Sequence, residues 1–186
     1  MLNHFFDKYI FTNTLKYTHN NFFLVNLPFF IMPVDVMVSL AGNSDIEMHK
    51  KIYLSFKENT KANFLPRFKQ MGVEQEKILM LVKTFFVASG WGNIEIIDNK
   101  LESKRAIVVL DNSPFVTELK GKVSLSVDVF LRGILAGLFS VVFAEDVDCV
   151  ESECAALSGE RCKFIIKPKT EFDLESKAVQ EQLVLD

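Results

Sequence analysis

Three cysteines, Cys149, Cys154 and Cys162, fall within fourteen residues of one another. Ser158-Gly159 between the last two is a turn signal, so the segment reads as a hairpin. With Leu157-Ser158-Gly159 as its loop, Ala156 faces Glu160 and Cys154 faces Cys162. Directly opposed residues have Cβ atoms about 4.5–5.5 Å apart. Two thiolates at that distance can share a metal ion, and are nearly close enough for a disulfide. Cys149 has odd parity against Cys154, so a regular strand turns it to the other face. A structural zinc takes four ligands. His4, His19 and His49 are distant in sequence. The remaining donors are carboxylates: Glu145, Asp146, Asp148, Glu151, Glu153, or a residue on the preceding helix. The plainer alternative is a pair of buried thiols with no chemistry, a common fate of cysteine.

The elements that must position these residues follow from the pattern. Before the hairpin runs the strongest helix signal, capped by Ser124 or Ser126, with Val127, Phe130, Leu131, Ile134, Leu135, Leu138, Val141 and Val142. A helix apolar nearly all round is a buried one. Gly133 and Gly137 on it admit close approach, read as packing within the chain. The hairpin runs from Val147 to Ala156 and from Arg161 to Lys167, ended by Pro168. An earlier hairpin joins Ile94–Ile97 to Ala106–Leu110 through Asp98-Asn99-Lys100. Upstream lie helices over Asn3–Tyr17, from Ser44 to about Ala62 with Asn43 or Ser44 as cap, and over Val73–Ser89 closed by Gly90. Phe22–Leu27 is strand-like, extended by Phe29–Met32. Val34, Val38 and Ala41 recur at helical spacing, and Ser113–Lys122 reads as loop. The fold class is therefore α+β: an antiparallel sheet built from two hairpins plus an N-terminal strand, packed against a layer of helices. Residues 1–168 form one domain. Residues 169–186 are a polar C-terminal tail or loose helix.

Composition narrows the function. The chain has 186 residues, 49% hydrophobic, with 18 Phe and a net charge of -3. That is ample apolar surface for a core, which excludes disorder and makes a disulfide scaffold unnecessary. The acidic balance and scattered lysines argue against nucleic acid as a partner. The most apolar runs, Phe22–Val38 and Val127–Phe143, are interrupted by Asn26, Pro28, Pro33 and Asp35, and by Asp128 and Arg132. Neither supplies the roughly 20 uncharged residues of a membrane span. No leader of signal type is visible, so a cytoplasmic, reducing location is expected.

The stretch Val127–Gly137, followed by Asp148–Phe164, resembles the 4-vinyl-reductase domain family. The family pattern is a helix with Cys-x-Phe-x-x-Gly-x-x-x-Gly, then Glu-x-x-Cys, a Gly turn and Cys-x-Phe. Phe130, Gly133, Gly137, Glu151, Cys154, Gly159, Cys162 and Phe164 match it. The family is related in fold to small subunits of TRAPP vesicle-tethering complexes, to heme-based nitric-oxide sensor domains and to phenol-sensing domains of bacterial activators. The resemblance implies a small-molecule-binding domain, usually dimeric. In the phenol-sensor branch a structural zinc is held by the helix Cys, the Glu and the two hairpin Cys. Those positions fall on Asp128, Glu151, Cys154 and Cys162. Asp128 departs from the pattern's Cys. A carboxylate still ligates zinc at about 2.0–2.2 Å, but two oxygens and two sulfurs make a harder site. Cys149 substitutes if the strand bulges.

The family name suggests a reductase, yet no G-x-G-x-x-G follows a strand and no nucleophile–base pair is suggested by local spacing. A non-catalytic small-molecule binding or sensor domain, for an apolar, aromatic or hydrocarbon ligand, is the leading reading. A trafficking-type scaffold or interaction subunit without a cavity comes second, and a small reductase third. Phe85, Phe86, Trp91, Phe130 and Phe139 are the candidate ligand-lining residues, with a filled aromatic core as the alternative. Phe5, Phe6, Phe11, Phe22, Phe23, Phe29 and Phe30 crowd the start of the chain. Such a patch predicts a homodimer.

Overall fold

The computed structural model describes residues 15–24, 27–29, 31–42, 45–70 and 78–185. Most of the Asn3–Tyr17 helix, the Asn43 or Ser44 cap and the start of the Val73–Ser89 helix lie outside these residues, as do Phe5, Phe6, Phe11 and Phe30. The described end of the first of these, Leu15–Thr18, is a strand (β1). It pairs antiparallel with β2 (Asn21–Leu24), which pairs with β3 (Leu27–Phe29). The turn at His19-Asn20 puts both residues at positive φ, 50° and 61°. Asn tolerates that region better than most residues, and a two-residue hairpin turn of this kind requires it.

The main sheet has four antiparallel strands in the order β4-β5-β7-β6. They are β4 (Asn93–Lys100), β5 (Arg105–Asp111), β6 (Asp148–Glu153) and β7 (Cys162–Lys167). These are the two expected hairpins. The fold class holds, with one difference: the N-terminal strand does not join this sheet but builds a separate three-stranded one. The first hairpin also turns later than its polar run suggested. Its ladder continues through Asp98, Asn99 and Lys100, after a bulge at Ile97, and the loop is 101–104.

Alternation along the strands fixes which side faces inward. On β7, Cys162, Phe164 and Ile166 are buried while Lys163, Ile165 and Lys167 are half-exposed. Their partners on β5, Leu110, Val108 and Ala106, are buried too. Helices cover this face. They are α1 (Val34–Gly42), α2 (Ile46–Gln70), α3 (Ile78–Ala88), α4 (Pro114–Leu119), α5 (Val129–Phe143) and α6 (Lys177–Gln182).

Three of these elements depart from expectation for local reasons. The segment read as loop at Ser113-Pro114 opens α4, because Ser113 caps it and Pro114 occupies the first turn. Pro lacks only an N–H that would be unsatisfied there anyway. The second helix runs past Ala62 to Gln70 despite Pro66 inside it. The segment after Pro168 is docked rather than loose: Val179, Gln182 and Leu183 are buried.

Helix α5 is the spine of the core. Phe130, Leu131, Leu135, Leu138 and Phe139 on it are no more than 1% exposed. Its two glycines let α2 lie directly on it, as the sequence suggested. A Cβ on Gly133 would stand 2.7 Å from the Tyr53 carbonyl oxygen, and one on Gly137 would stand 2.5 Å from that of Lys57. Those atoms are backbone and cannot rotate away. Gly137→Ala should therefore cost about 2–3 kcal/mol, the upper range for overpacking. Urea denaturation measures it; a loss below about 0.5 kcal/mol would mean the helices separate freely.

Candidate metal centre

The site is made by an irregularity in β6. Glu151 pairs with Phe164 and Glu153 pairs with Lys163, so Ser152 is an extra residue in the strand. In a regular strand Glu151 and Cys154, three apart, would face opposite ways. The bulge restores both to the inner face. One step beyond the Glu153–Lys163 pair, Cys154 comes opposite Cys162. The expected pairing is thus reached by a different loop, which spans seven residues beyond Cys154. The Cys154 carbonyl accepts from the N–H groups of Leu157, Ser158 and Gly159, at 3.1, 3.2 and 3.0 Å. The turn is folded around that one oxygen, and a Cβ on Gly159 would press on the Cys154 backbone at 3.2 Å.

The donor atoms of Glu151, Cys154 and Cys162 all lie within 4.8 Å of one another, and all three residues are buried. Among the described residues, both carboxylate oxygens of Glu151 lack a hydrogen-bond partner. Asp128 stands at the N-cap position of α5 but makes no side-chain cap bond. Its Oδ1 accepts from Ser113 Oγ at 3.1 Å, and its Oδ2 has no partner among the described residues. The Ala155 N–H donates to Cys162 Sγ at 3.5 Å. Cys149 is buried on the same face but is not part of the three-residue group.

Titration behaviour shows how crowded these acids are. Burial raises the Asp128 pKa to about 6, and raises Glu151 well above the ordinary carboxylate range, where the charge of Asp128 adds to it. A hydrogen bond from the Cys162 thiol pulls Cys154 down to about 5. Cys162 is raised in turn, because that bond holds its proton. Buried polar atoms are normally paired. Orphaned carboxylate oxygens beside a polarised thiol pair are the donor set a borderline-soft cation such as zinc accepts.

A second polar system supports the first, and sequence reasoning missed it. Tyr53 Oη donates to Asp148 Oδ1 at 2.6 Å and accepts from the Cys149 N–H at 3.0 Å. Buried Lys57 donates to the same Asp148 oxygen at 2.8 Å and to Asp146 at 2.9 Å. The spacing of Tyr53, Lys57 and Lys61 on one helical face was the available signal. Arg132 is fully buried on α5; its Nη1 donates to the Gln182 carbonyl at 3.0 Å. The Gln182 carboxamide meets both backbone groups of Glu151, at 2.8 and 2.9 Å. Nothing in the sequence pointed to Gln182.

The five expected ligand residues are not gathered around one space. Phe86, Trp91 and Phe130 belong to a run of touching rings completed by Phe115 and Phe56, with centroids 5.2–5.8 Å apart. Phe85 sits at its margin, 41% exposed. Phe139 packs on Phe143 instead. A pocket of about 240 Å³ opens beside the donor cluster, with His49, Arg132, Glu151, Cys154 and Gln182 in its wall. None of the five aromatics borders it.

The four-stranded sheet, its helical cover and the clustered acids define the class, an α+β domain with a buried polar centre. Comparison with known proteins places it further. Residues 108–168 match the family model of the 4-vinyl-reductase domain. The resemblance read from the sequence therefore holds across β5 to β7. Over the whole chain the fold is similar to the phenol-responsive sensory domain of the transcription activator PoxR, solved with phenol. The two are 11% identical, with 94% of each chain covered and a TM-score of 0.68. It is also similar to a trafficking protein particle complex subunit 3 from Naegleria fowleri, covalently bound to palmitic acid. There the identity is 12%, coverage 68% of this chain and 83% of that one, and the TM-score 0.53. A vinyl-4-reductase family protein from Methanocaldococcus jannaschii is 18% identical over 75% of this chain and 96% of that chain, with a TM-score of 0.46. No curated protein matches the chain. Among the described residues, no helix is long and apolar enough to cross a membrane.

Proposed function

We propose that the chain is a non-catalytic small-molecule-binding or sensor domain whose last hairpin is tied to α5 by a structural zinc ion. The observation that carries the metal reading is the buried Glu151–Cys154–Cys162 cluster with unpartnered carboxylate oxygens. Asp128 is the proposed fourth ligand, in place of the Cys of the family pattern. The ion would supply cross-linking and charge neutralisation, not a reaction. Purified protein should carry about one zinc per chain by elemental analysis, as a single closed site requires. Cys154→Ser and Asp128→Ala should each lose it. A metal-free wild type would remove the reading.

The proposed ligand is apolar or aromatic. Support comes from the fold shared with a phenol-bound sensory domain and from the ring cluster around Trp91 and Phe130. A ligand present at about 100 times its Kd stabilises by about 2.7 kcal/mol. Thermal unfolding with phenols, alkylbenzenes and fatty acids should show such a rise for at least one class. A flat response across the panel favours the second reading, a scaffold of trafficking-subunit type. The rings that already fill one another's contact surface speak for that alternative.

The proposed partner of the N-terminal region is a second copy of this chain. Tyr17, Phe29, Ile31, Val36 and Leu40 expose apolar side chains there, Ile31 at 74%. Light scattering at micromolar concentration should give twice the chain mass. A stable monomer would end the proposal.

A further inference from the structure

We propose that Arg132 is the built-in counter-charge of the metal centre, a positioning residue that sets how tightly the ion is held. The inference rests on the metal reading above. Two carboxylates and two thiolates around a divalent ion leave two negative charges uncompensated in a buried place. Buried charge of that kind needs a partner.

Arg132 lies one helical turn after Asp128, and its backbone N–H donates to the Asp128 carbonyl at 2.9 Å. It shares a pocket wall with Glu151 and Cys154, and it is 0% exposed. Its direct partners, the Gln182 carbonyl and the Tyr53 ring face at 5.0 Å, are both neutral. Its Nε has no partner among the described residues. A buried cation with only neutral contacts therefore sits beside a buried excess of anions. Glu151 and Asp128 both act on it electrostatically.

The other basic groups nearby are already committed. Lys57 is paired with Asp146 and Asp148. His49 hydrogen-bonds the Ala41 carbonyl, and burial lowers its pKa, so it stays neutral. Among the described residues, Arg132 is what remains for the cluster. It also reaches Glu151 through Gln182, whose carboxamide fixes the backbone of that ligand from both sides.

The test uses the full chain, stripped of metal and titrated with Zn²⁺ against a chromophoric chelator. Arg132→Met should bind zinc about tenfold to a hundredfold more weakly, the range for residues just outside the ligands. Arg132→Lys should recover most of that loss. Cobalt at saturation should still give the thiolate charge-transfer band in both, because the ligands are intact. Pairing Arg132→Met with Asp128→Asn adds a readout that a merely structural arginine would not move. Removing one negative charge should shrink the arginine's effect, whereas a packing role predicts the same loss in both backgrounds. If Arg132→Met fails to fold, Arg132→Gln carries the same expectation. Zinc bound as tightly by these variants as by wild type overturns the proposal and leaves the metal reading standing. A wild type that takes up neither ion removes both.

Discussion

Acidic groups dislike being buried together, and that repulsion organises the second half of this fold. Asp128 from the start of α5, Glu151 from β6, Cys154 from the turn and Cys162 from β7 converge with little access to water. Desolvation disfavours each charge, and each charge disfavours the next. Left alone, the arrangement would hold its protons and leave oxygens unsatisfied, as the raised Asp128 and Glu151 pKa values describe. A cation resolves it at once. The structure around the cluster makes sense as scaffolding that keeps these groups together in spite of the cost.

That scaffolding is layered. The paired glycines bring α2 onto α5, which lets Tyr53 and Lys57 reach across to Asp148 and the start of β6. The strand is thereby anchored at its beginning by a neutral hydroxyl and a buried ion pair. At its other end the bulge turns Glu151 inward, and the chain then coils around the Cys154 carbonyl. Neither anchor depends on a bound ion, so the cluster is preorganised. Preorganised sites lose less entropy on binding than sites that must form around their ligand.

How much of this could be read in the chain depended on the kind of signal. The pairing of Cys154 with Cys162 was legible because hairpin register follows from counting across a turn. Gly133 and Gly137 were legible because their spacing matches one helix face. Ser113-Pro114 was legible in principle, as cap and first-turn proline, but its polar neighbours read as loop. The bulge at Ser152 was not legible, since it carries no glycine or proline to mark it. Without it, Glu151 and Cys154 face opposite ways, and only the family pattern placed them together. Arg132 was visible merely as an interruption of an apolar run. Its meaning depends on long-range partners, Gln182 fifty residues later and Tyr53 on another helix. The aromatic excess divided differently from expectation: side-chain type predicted burial well, but not whether neighbouring rings touch or leave room between them.

The clasp of Gln182 on Glu151 bears on solubility. Strand β6 lies at the edge of its sheet, where backbone groups would otherwise be open to any passing extended segment. The carboxamide of Gln182, with one donor and one acceptor, imitates a single residue of a fifth strand and stops the ladder there. A chain lacking its last turn of helix would expose that edge at the point where the buried acids are most crowded. Self-pairing of sheets, rather than simple unfolding, is the failure such a chain invites.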